Sequence, residues 1–461
     1  MPVCSPQYII IGYGISGKGV ARLIASQGKQ FFVCDSNLDV FTKDDQDWMQ
    51  SIGCAWGNDA DGVRMLDYPS VIGVITSPGV APGHPVKQKA HVKQIPIYSE
   101  FGYAFSFLPG KKIAVTGTNG KTTTVHLLCH ILENAGISVK MGGNIGVSVS
   151  ELALDIHKAD VYVLEISSYQ LERVEGCLFD GAVLTNITSD HCSRYEDFDR
   201  YTQAKLNIVR NLKKQGYFIC RSEDVPYYLD KLNLDRIPDN WHLVGDMMKK
   251  NVFFFADNNG LWERTDKGWN LVVGVNDVRF CGRHIFENCA FAATAALIEG
   301  VSLESIVATI KSFRGLPHRL ERVGEKNGVL FYNDSKATNP DAVIKALDSF
   351  KEPIILILGG QDKGADLSAL RDKIRQTVTT LVLTGESTPY YAEYFRGSAK
   401  IVTAHSMDDA VIKAYHCAQS GDIVLLSPAC ASFDMYDNFE HRGDYFKQSV
   451  MRLQTIPTQY T

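Results

Sequence analysis

The chain has 461 residues, 45% hydrophobic and 21% charged, with a formal net charge of −5. That length accommodates two to four domains and a large core. The charge balance leaves no basic face and argues against nucleic-acid binding by bulk electrostatics.

The 11 cysteines never fall in a C-x-x-C spacing, the usage of reduced thiols in a cytosol rather than of a disulfide frame or a zinc site. The amino-terminal stretch lacks the charged and apolar regions of a signal peptide, and no apolar run approaches the roughly 18 residues of a membrane span. A cytoplasmic protein without a membrane partner is expected.

The first element is "YIIIGYGISGKGVARLIA" (8–25), an apolar strand, a glycine turn and a helical pattern. Gly12, Gly14 and Gly17 make a G-x-G-x-x-G, and Asp35 ends the next strand, "QFFVCD", where an acid can meet a ribose hydroxyl. Two readings stay open: a dinucleotide or diphosphate held by helix-terminal amides, or a tight turn with no ligand. "SPGVAPGHP" (77–85) follows a later strand and can line the same crevice. "IPIYSEFGYAFSFLPGKK" carries two prolines, which puts a boundary near residue 99.

The second start, "KKIAVTGTNGKTTTVHLLCHIL" (111–132), carries a phosphate loop of unusual spacing. Gly117 stands only three residues before Gly120, where the common G-x-x-x-x-G-K-[ST] pattern puts its first glycine at position 115. The two glycines let the backbone wrap anionic oxygens, Lys121 can reach terminal phosphates, and the Thr122 hydroxyl can meet Mg²⁺. "DVYVLEISSYQLE" (160–172) is a strand ending in Glu165, and "GAVLTNITSDHCSRY" (181–195) a strand ending near His191. A carboxylate and an imidazole at strand ends beside a phosphate loop point to a metal site.

"NVFFFADNNGLWERTDKGWNLVVGVNDVRF" (251–280) alternates aromatic and polar residues around "DNNG" and "DKG", an antiparallel hairpin. The helical "ENCAFAATAALIEG" is followed by "FRGLPHRLERV" (313–323), which puts a second boundary near 315. The third start is "PIILILGGQDKGADLSAL" (353–370). Continuous apolar strands alternating with helices suit parallel sheets covered on both faces. The expected fold is α/β with three domains: Rossmann-like over 1–99, P-loop ATPase-like with an antiparallel hairpin over 100–315, and Rossmann-like over 316–461.

"TGTNGKTTT", "EISSYQLE", "NITSDHCSRY", "GLPHRLE", "NDSKATNPDA", "GGQDKGAD" and "SPACASFDMYDNFEHRGDYF" occur in this order. Together they resemble the Mur ligases, ATP-dependent amide-forming enzymes of peptidoglycan precursor synthesis, over residues 8 to about 446. The short-spaced phosphate loop is the form that family uses, and "NDSKATNPDA" with "SPACASFD" resembles its D-glutamate-adding branch. The resemblance implies a UDP-sugar domain, an ATP domain and a closing domain for the amino acid. It also implies a monomer acting on UDP-N-acetylmuramoyl-L-alanine and D-glutamate.

Residue by residue, the resemblance puts Ile15, Ser16, Asp35, Ser36 and Gly79 in the uridine-diphosphate crevice, with Asn144 and Ser167 near the sugar substrate. Gly117, Thr118, Asn119, Gly120, Lys121, Thr122 and Thr123 would hold ATP, with Asn288 at adenine, Arg319 at ribose and phosphates, and Asp334 and Lys336 on the ATP side of the closing domain. Thr122, Glu165, His191 and Lys205 would serve two Mg²⁺, Lys205 as a CO₂-derived carbamate. Lys121, His191, Lys205, Arg319 and Lys336 form the implied catalytic set. Thr338, Lys363, Ser427 and Phe433 or Asp434 would frame the D-glutamate carboxylates.

Two departures stand out: the usual H-N-x-x-N of the adenine site is "HIFEN", with Ile285 after His284, and Gln361 stands where some relatives carry an acid. Rival readings are a nicotinamide dehydrogenase, a nucleotide switch without catalysis, and a sister or folylpolyglutamate-type ligase using another amino acid.

Overall fold

The structure, a computed structural model, describes residues 6–174, 176–188, 195, 197–245, 252–278 and 283–455. The chain divides into two compact units. One comprises Met1–Ile187, Tyr195–Phe253 and Phe291–Ile306; the other comprises Thr188–Arg194, Phe254–Ala290 and Val307–Thr461.

The first unit begins with a parallel sheet of β1 (Tyr8–Ile11), β2 (Phe31–Cys34), β3 (Ala55–Gly57), β4 (Gly73–Thr76) and β5 (Ile97–Ser99), in the order β3-β2-β1-β4-β5. All four residues of β1, β2 and β4 are buried, as expected for strands covered on both faces. The order reverses beside β1, the switch point at which such sheets bind ligands. There the chain turns through Gly12 (φ +87°) into the helix Ile15–Ser26.

A Cβ on Gly17 would lie 1.9 Å from the Gly12 carbonyl oxygen, so only glycine lets this helix pack so close to its own turn. Gly19, two residues on, faces the helix Val149–Leu154: a Cβ there would lie 2.8 Å from Ser148 Oγ. Ser150 of that same helix donates its backbone N–H (2.9 Å) and its hydroxyl (2.5 Å) to the buried Glu100 carboxylate.

The unit continues with β6 (Lys111–Thr116), β7 (Val139–Gly143), β8 (Val161–Glu165), β9 (Phe179–Leu184), β10 (Leu212–Arg221) and β11 (Trp241–Val244). These pair in parallel as β11-β10-β9-β6-β8-β7. Because β6 lies between β8 and β9, the segments leaving the carboxyl ends of all three strands converge.

The expected hairpin is present. β12 (Val252–Ala256), β13 (Gly260–Thr265) and β14 (Gly268–Gly274) pair antiparallel. The first turn is closed by Asp257, which accepts hydrogen bonds from Asn259 N, Gly260 N and Trp262 Nε1.

The third sheet lies in the second unit. It comprises β15 (Glu321–Lys326), β16 (Val329–Asn333), β17 (Ile354–Leu358), β18 (Val378–Leu383), β19 (Lys400–Thr403) and β20 (Ile423–Leu426), in the order β15-β16-β20-β17-β18-β19. Only the β15–β16 pair is antiparallel. Its core packs Phe331, Ile355, Ile357, Val424 and Leu426 against the helices Met407–Cys417 and Phe439–Thr455. With β20 between β16 and β17, the three loops leaving those strands also converge. The fold is therefore the α/β class expected from the sequence, with three sheets.

The glycine fingerprint gives a stability prediction. Gly17→Ala should destabilise by about 3 kcal/mol or more, because the methyl meets backbone and cannot be relieved by a rotamer change. Gly14→Ala, at φ −73° with open space around the added carbon, should stay within about 1 kcal/mol. Urea unfolding of the two variants side by side checks this; equal losses would refute it.

Candidate active site

In the first unit the sequence-predicted phosphate loop leaves β6 and enters the helix Lys121–Asn134, whose N-cap is Gly120 at φ +87°. Gly117 has φ +147°, and a Cβ there would sit 2.0 Å from Thr185 Oγ1. The loop therefore presses against the end of β9 and must be glycine at this point. Thr185 Oγ1 (2.6 Å) and Asn186 Nδ2 (2.9 Å) donate to the Asn119 carbonyl, and Asn119 N donates to Asn186 Oδ1 (3.0 Å). The cradle is thus fixed from outside by β9's successor residues, which the sequence reading did not single out.

Lys121 Nζ folds back to donate to the carbonyls of Gly117 and Thr118, both at 2.8 Å. Lys205, on the helix Phe198–Arg210, is 2% exposed, and its Nζ donates to the same Gly117 carbonyl at 2.8 Å. One backbone oxygen thus receives two ammonium groups. Lys205 Nζ also lies 4.7 Å from the centroid of the Tyr201 ring, one turn earlier on that helix. The Tyr201 hydroxyl shares a 3.1 Å hydrogen bond with Thr118 Oγ1. Tyr201 was not among the predicted residues; its i,i+4 spacing from Lys205 is the signal that could have found it.

Glu165 ends β8, buried, with both carboxylate oxygens engaged. Oε2 accepts from Thr122 Oγ1 at 2.8 Å and Oε1 from Asn144 Nδ2 at 3.0 Å. The structure thus brings Lys121, Thr122, Asn144, Glu165 and Lys205 together. Oxygen donors grouped this way suit a hard divalent cation, and the glycine cradle suits a polyphosphate. The predicted metal ligand His191 lies outside the described residues. Ser167 caps the helix Ser168–Leu171, its hydroxyl accepting from Gln170 N at 3.2 Å.

At the first sheet, Asp35 Oδ2 accepts from Tyr13 N (2.8 Å) and Oδ1 from Asn37 N (2.9 Å), so the acid braces the glycine loop. Ile15 is 74% exposed at the helix start, Ser16 follows it half-buried, and Ser36 and Gly79 are exposed. Lys18, on the same helix, pairs with Asp45 at 2.7 Å rather than facing the loop.

In the second unit, Asp334 follows β16 and is buried. It accepts from Ser427 Oγ (2.9 Å) and Leu320 N (3.3 Å). Burial raises its pKa to about 7, against those hydrogen bonds and the charge of Arg319, which lower it. Ser427, predicted at the amino acid's carboxylates, is fully buried and holds Asp334. Lys336 Nζ lies 3.8 Å from the centroid of the Phe439 ring. Thr338 is half-buried, Lys363 exposed and Phe433 69% exposed, while Asp434 Oδ2 accepts from Glu386 N at 2.9 Å.

Asn288 is buried on the helix Arg283–Ile298. Near its start, burial together with Lys345 and Arg319 pushes the His284 pKa down to about 4, so the ring is neutral at pH 7. Ile285 is buried, which accounts for an apolar residue where the family pattern has Asn.

The Mur ligase middle domain matches residues 115–296, and the Mur ligase glutamate ligase domain matches residues 318–430. Over 456 residues the chain is 38% identical to UDP-N-acetylmuramoylalanine–D-glutamate ligase of Cytophaga hutchinsonii, covering 97% of this chain and 99% of that protein. The protein of the same name from Alkaliphilus metalliredigens is 35% identical over 465 residues, covering 98% and 100%.

The chain belongs to the Mur ligase family. A solved Mur ligase from Thermotoga maritima, in complex with ADP, superposes with a TM-score of 0.59 at 17% identity, over 86% of this chain and 92% of that one. The likeness to it extends to the fold. Among the described residues no helix is long and apolar enough to cross a membrane.

This Mur ligase should carry a pH signature from Asp334. A carboxyl group whose folded pKa lies above its unfolded value stabilises fully below about pH 4 and loses that contribution as pH rises towards 7. Asp334→Asn keeps an acceptor for Leu320 N and a polar partner for Ser427. Its stability relative to wild type should therefore rise by more than about 1 kcal/mol between pH 4 and pH 7.5. Urea midpoints across that range check this; a constant difference would refute it.

Proposed function

We propose that this ligase joins D-glutamate to UDP-N-acetylmuramoyl-L-alanine through an acyl phosphate, using ATP. The carrying observation is the convergence of two ammonium groups on the Gly117 carbonyl, beside a Glu165 tied to Thr122. A carboxylate is a poor acyl donor. An oxygen of the alanyl carboxylate attacks the γ-phosphorus, and the bond to the β-bridging oxygen breaks to release ADP. The amine nitrogen of D-glutamate then attacks the acyl carbonyl, loses a proton, and inorganic phosphate departs.

Both steps bring anions together. Lys121, its Nζ held at the loop carbonyls, offsets that charge at a terminal phosphate, as Arg319 does on the nucleotide. Two Mg²⁺, which neutralise phosphate charge when bound, would be held by Thr122 and Glu165, with His191 and a carbamylated Lys205. The Lys205 environment supports modification. Two ammonium groups on one oxygen repel each other, and a carbamate replaces one of them with an anion bearing oxygen donors.

The UDP moiety is assigned to the first glycine turn, with Ile15, Ser16, Asp35, Ser36 and Gly79, and Asn144 and Ser167 towards the sugar. Asn288 and Asp334 belong to the nucleotide side, with Lys336. Thr338, Lys363 and the loop after Ser427, including Phe433 and Asp434, receive the amino acid. The resulting water-sensitive acyl phosphate calls for closure over the site. We assign the enzyme to the cytoplasm, as a monomer, with domains at 1–99, 100–315 and 316–461.

Phosphate release measured with UDP-N-acetylmuramoyl-L-alanine across amino acids of both hands should be fastest with D-glutamate and near background with L-glutamate. Faster release with L-alanine or a diamino acid would overturn the substrate reading, and release without any acceptor would favour the nucleotide switch. Lys205→Ala should lose at least about 10²-fold in rate, the scale of one lost electrostatic group. Added acetate should restore part of it; an Ala variant with normal rate would refute the carbamate.

A further inference from the structure

Arg442, on the helix Phe439–Thr455, is 2% exposed, and none of its hydrogen bonds goes to a carboxylate. Nε donates to Ser335 Oγ (3.0 Å) and Nη2 to the Ser335 carbonyl (2.9 Å). Nη1 donates to the carbonyls of Cys430 and Ala431, and Nη2 also to Cys430, each at 3.2 Å. Ser335 Oγ in turn donates to the Phe439 carbonyl at 2.8 Å. Among the described residues no acid lies within ion-pair distance of this guanidinium; Asp434 is the carboxylate that influences it from further away. Burial pulls its pKa down to about 10, which leaves it charged at pH 7.

A buried cation without a counter-ion is costly, and a hydrophobic side chain at this point in the helix would pack without that penalty. What the guanidinium does that no apolar group can is bridge two loops through their backbone. One anchor, Ser335, lies between Asp334 and Lys336 and three residues before Thr338. The other two, Cys430 and Ala431, lie just before Ser432 and Phe433. The approach is tight: a Cβ on Gly360 would lie 3.2 Å from Arg442 Nη1 and 2.4 Å from the Ala431 carbonyl, so glycine there makes room for the clamp.

We propose that Arg442 is a positioning residue for the amino-acid pocket. It fixes the 335–338 loop against the 430–433 loop and adds an uncompensated positive charge behind a site that receives a dicarboxylate. This rests on the reading of those loops as the D-glutamate site. Other backbone ties of the first loop do not involve Arg442: Asp334 N donates to the Leu426 carbonyl, Lys336 N to the His318 carbonyl, and Ala429 N to the Ala337 carbonyl. Nucleotide binding should therefore depend on it less than amino-acid binding.

The test compares wild type, Arg442→Met, Arg442→Lys and Val450→Ala, the last a core truncation on the same helix away from both loops. Steady-state KM for D-glutamate and for ATP, kcat and the thermal midpoint are measured at a temperature below every midpoint. Wild-type turnover with D-glutamate tests the substrate reading; the split among variants tests the clamp. KM for D-glutamate should rise at least tenfold in Arg442→Met and by a smaller factor in Arg442→Lys, which keeps the charge but not the fork, with KM for ATP within twofold. Val450→Ala should lower the midpoint and leave both KM values in place. Parallel changes in both KM values, an unchanged KM for D-glutamate in Arg442→Lys, or the same split in Val450→Ala would overturn the proposal. If Arg442→Met does not fold, the Lys variant decides alone.

Discussion

The Gly117 carbonyl is the constraint around which the first unit's site is arranged. Its oxygen accepts from Lys121 and Lys205, one at the loop's own helix and the other 88 residues away on a helix of its own. For that oxygen to face both, the backbone must take φ +147°, and the missing Cβ must leave space that Thr185 Oγ1 fills from the other side. This is why the loop needs a glycine three residues before Gly120 and not earlier. The turn is held by neighbouring strand ends rather than by its own length, so it can be shorter than the common phosphate loop. Asn186 and Thr185 do the holding through Asn119.

The second unit solves a different problem. Two of its buried ionisable groups, Asp334 and Arg442, lie on adjoining segments yet do not pair with each other. Asp334 is held by a hydroxyl and an amide, and Arg442 by carbonyls and a hydroxyl. A direct ion pair would satisfy both and fix one distance between them. Separate anchoring instead fixes two loops and leaves neither group in an ion pair, with Arg319 acting on Asp334 and Asp434 on Arg442 only from further away. Burial then acts in opposite directions, raising the carboxyl pKa and lowering that of the guanidinium. Charges kept this way are sensitive to an incoming ligand, because little inside the unit neutralises them.

Much of this was legible in the sequence, because the informative signals are local. β1, β6, β8 and β17 are apolar runs ended by glycine or an acid, and the hairpin announces itself through "DNNG" and "DKG". Glu165 was identified by its place at a strand end beside a phosphate loop, and Lys205 by resemblance. What could not be read is how polar side chains divide their hydrogen bonds once the chain is folded. Ser427 reads as a hydroxyl for a ligand but meets Asp334 from 93 positions away. Ser167 closes its own short helix. Arg442 sits in the charged, helical "FEHRGDYF", yet it is buried against Ser335, 107 residues back in the chain, and against the Cys430 and Ala431 carbonyls. Such pairings depend on which loops adjacent strands bring together, and a spacing rule does not carry that information.

The two glycine loops of the first unit share a local grammar but differ in the charges beside them. Both follow a buried strand and open a helix, so both present amide hydrogens to an anion. Only the second has a lysine at the first helical position, with its ammonium poised on the loop carbonyls. In the first, that position is the exposed Ile15, and the nearest lysine on the helix, Lys18, is drawn away to Asp45. Its acid, Asp35, is turned inward to brace the Tyr13 and Asn37 amides. A loop of amides without a mobile cation can seat a diphosphate but does little for charge that develops as a phosphoryl group moves. A loop with Lys121 and an adjoining carboxylate at Glu165 can do both. The same local grammar therefore suits holding at β1 and phosphoryl transfer at β6, and the difference lies in where two lysines point.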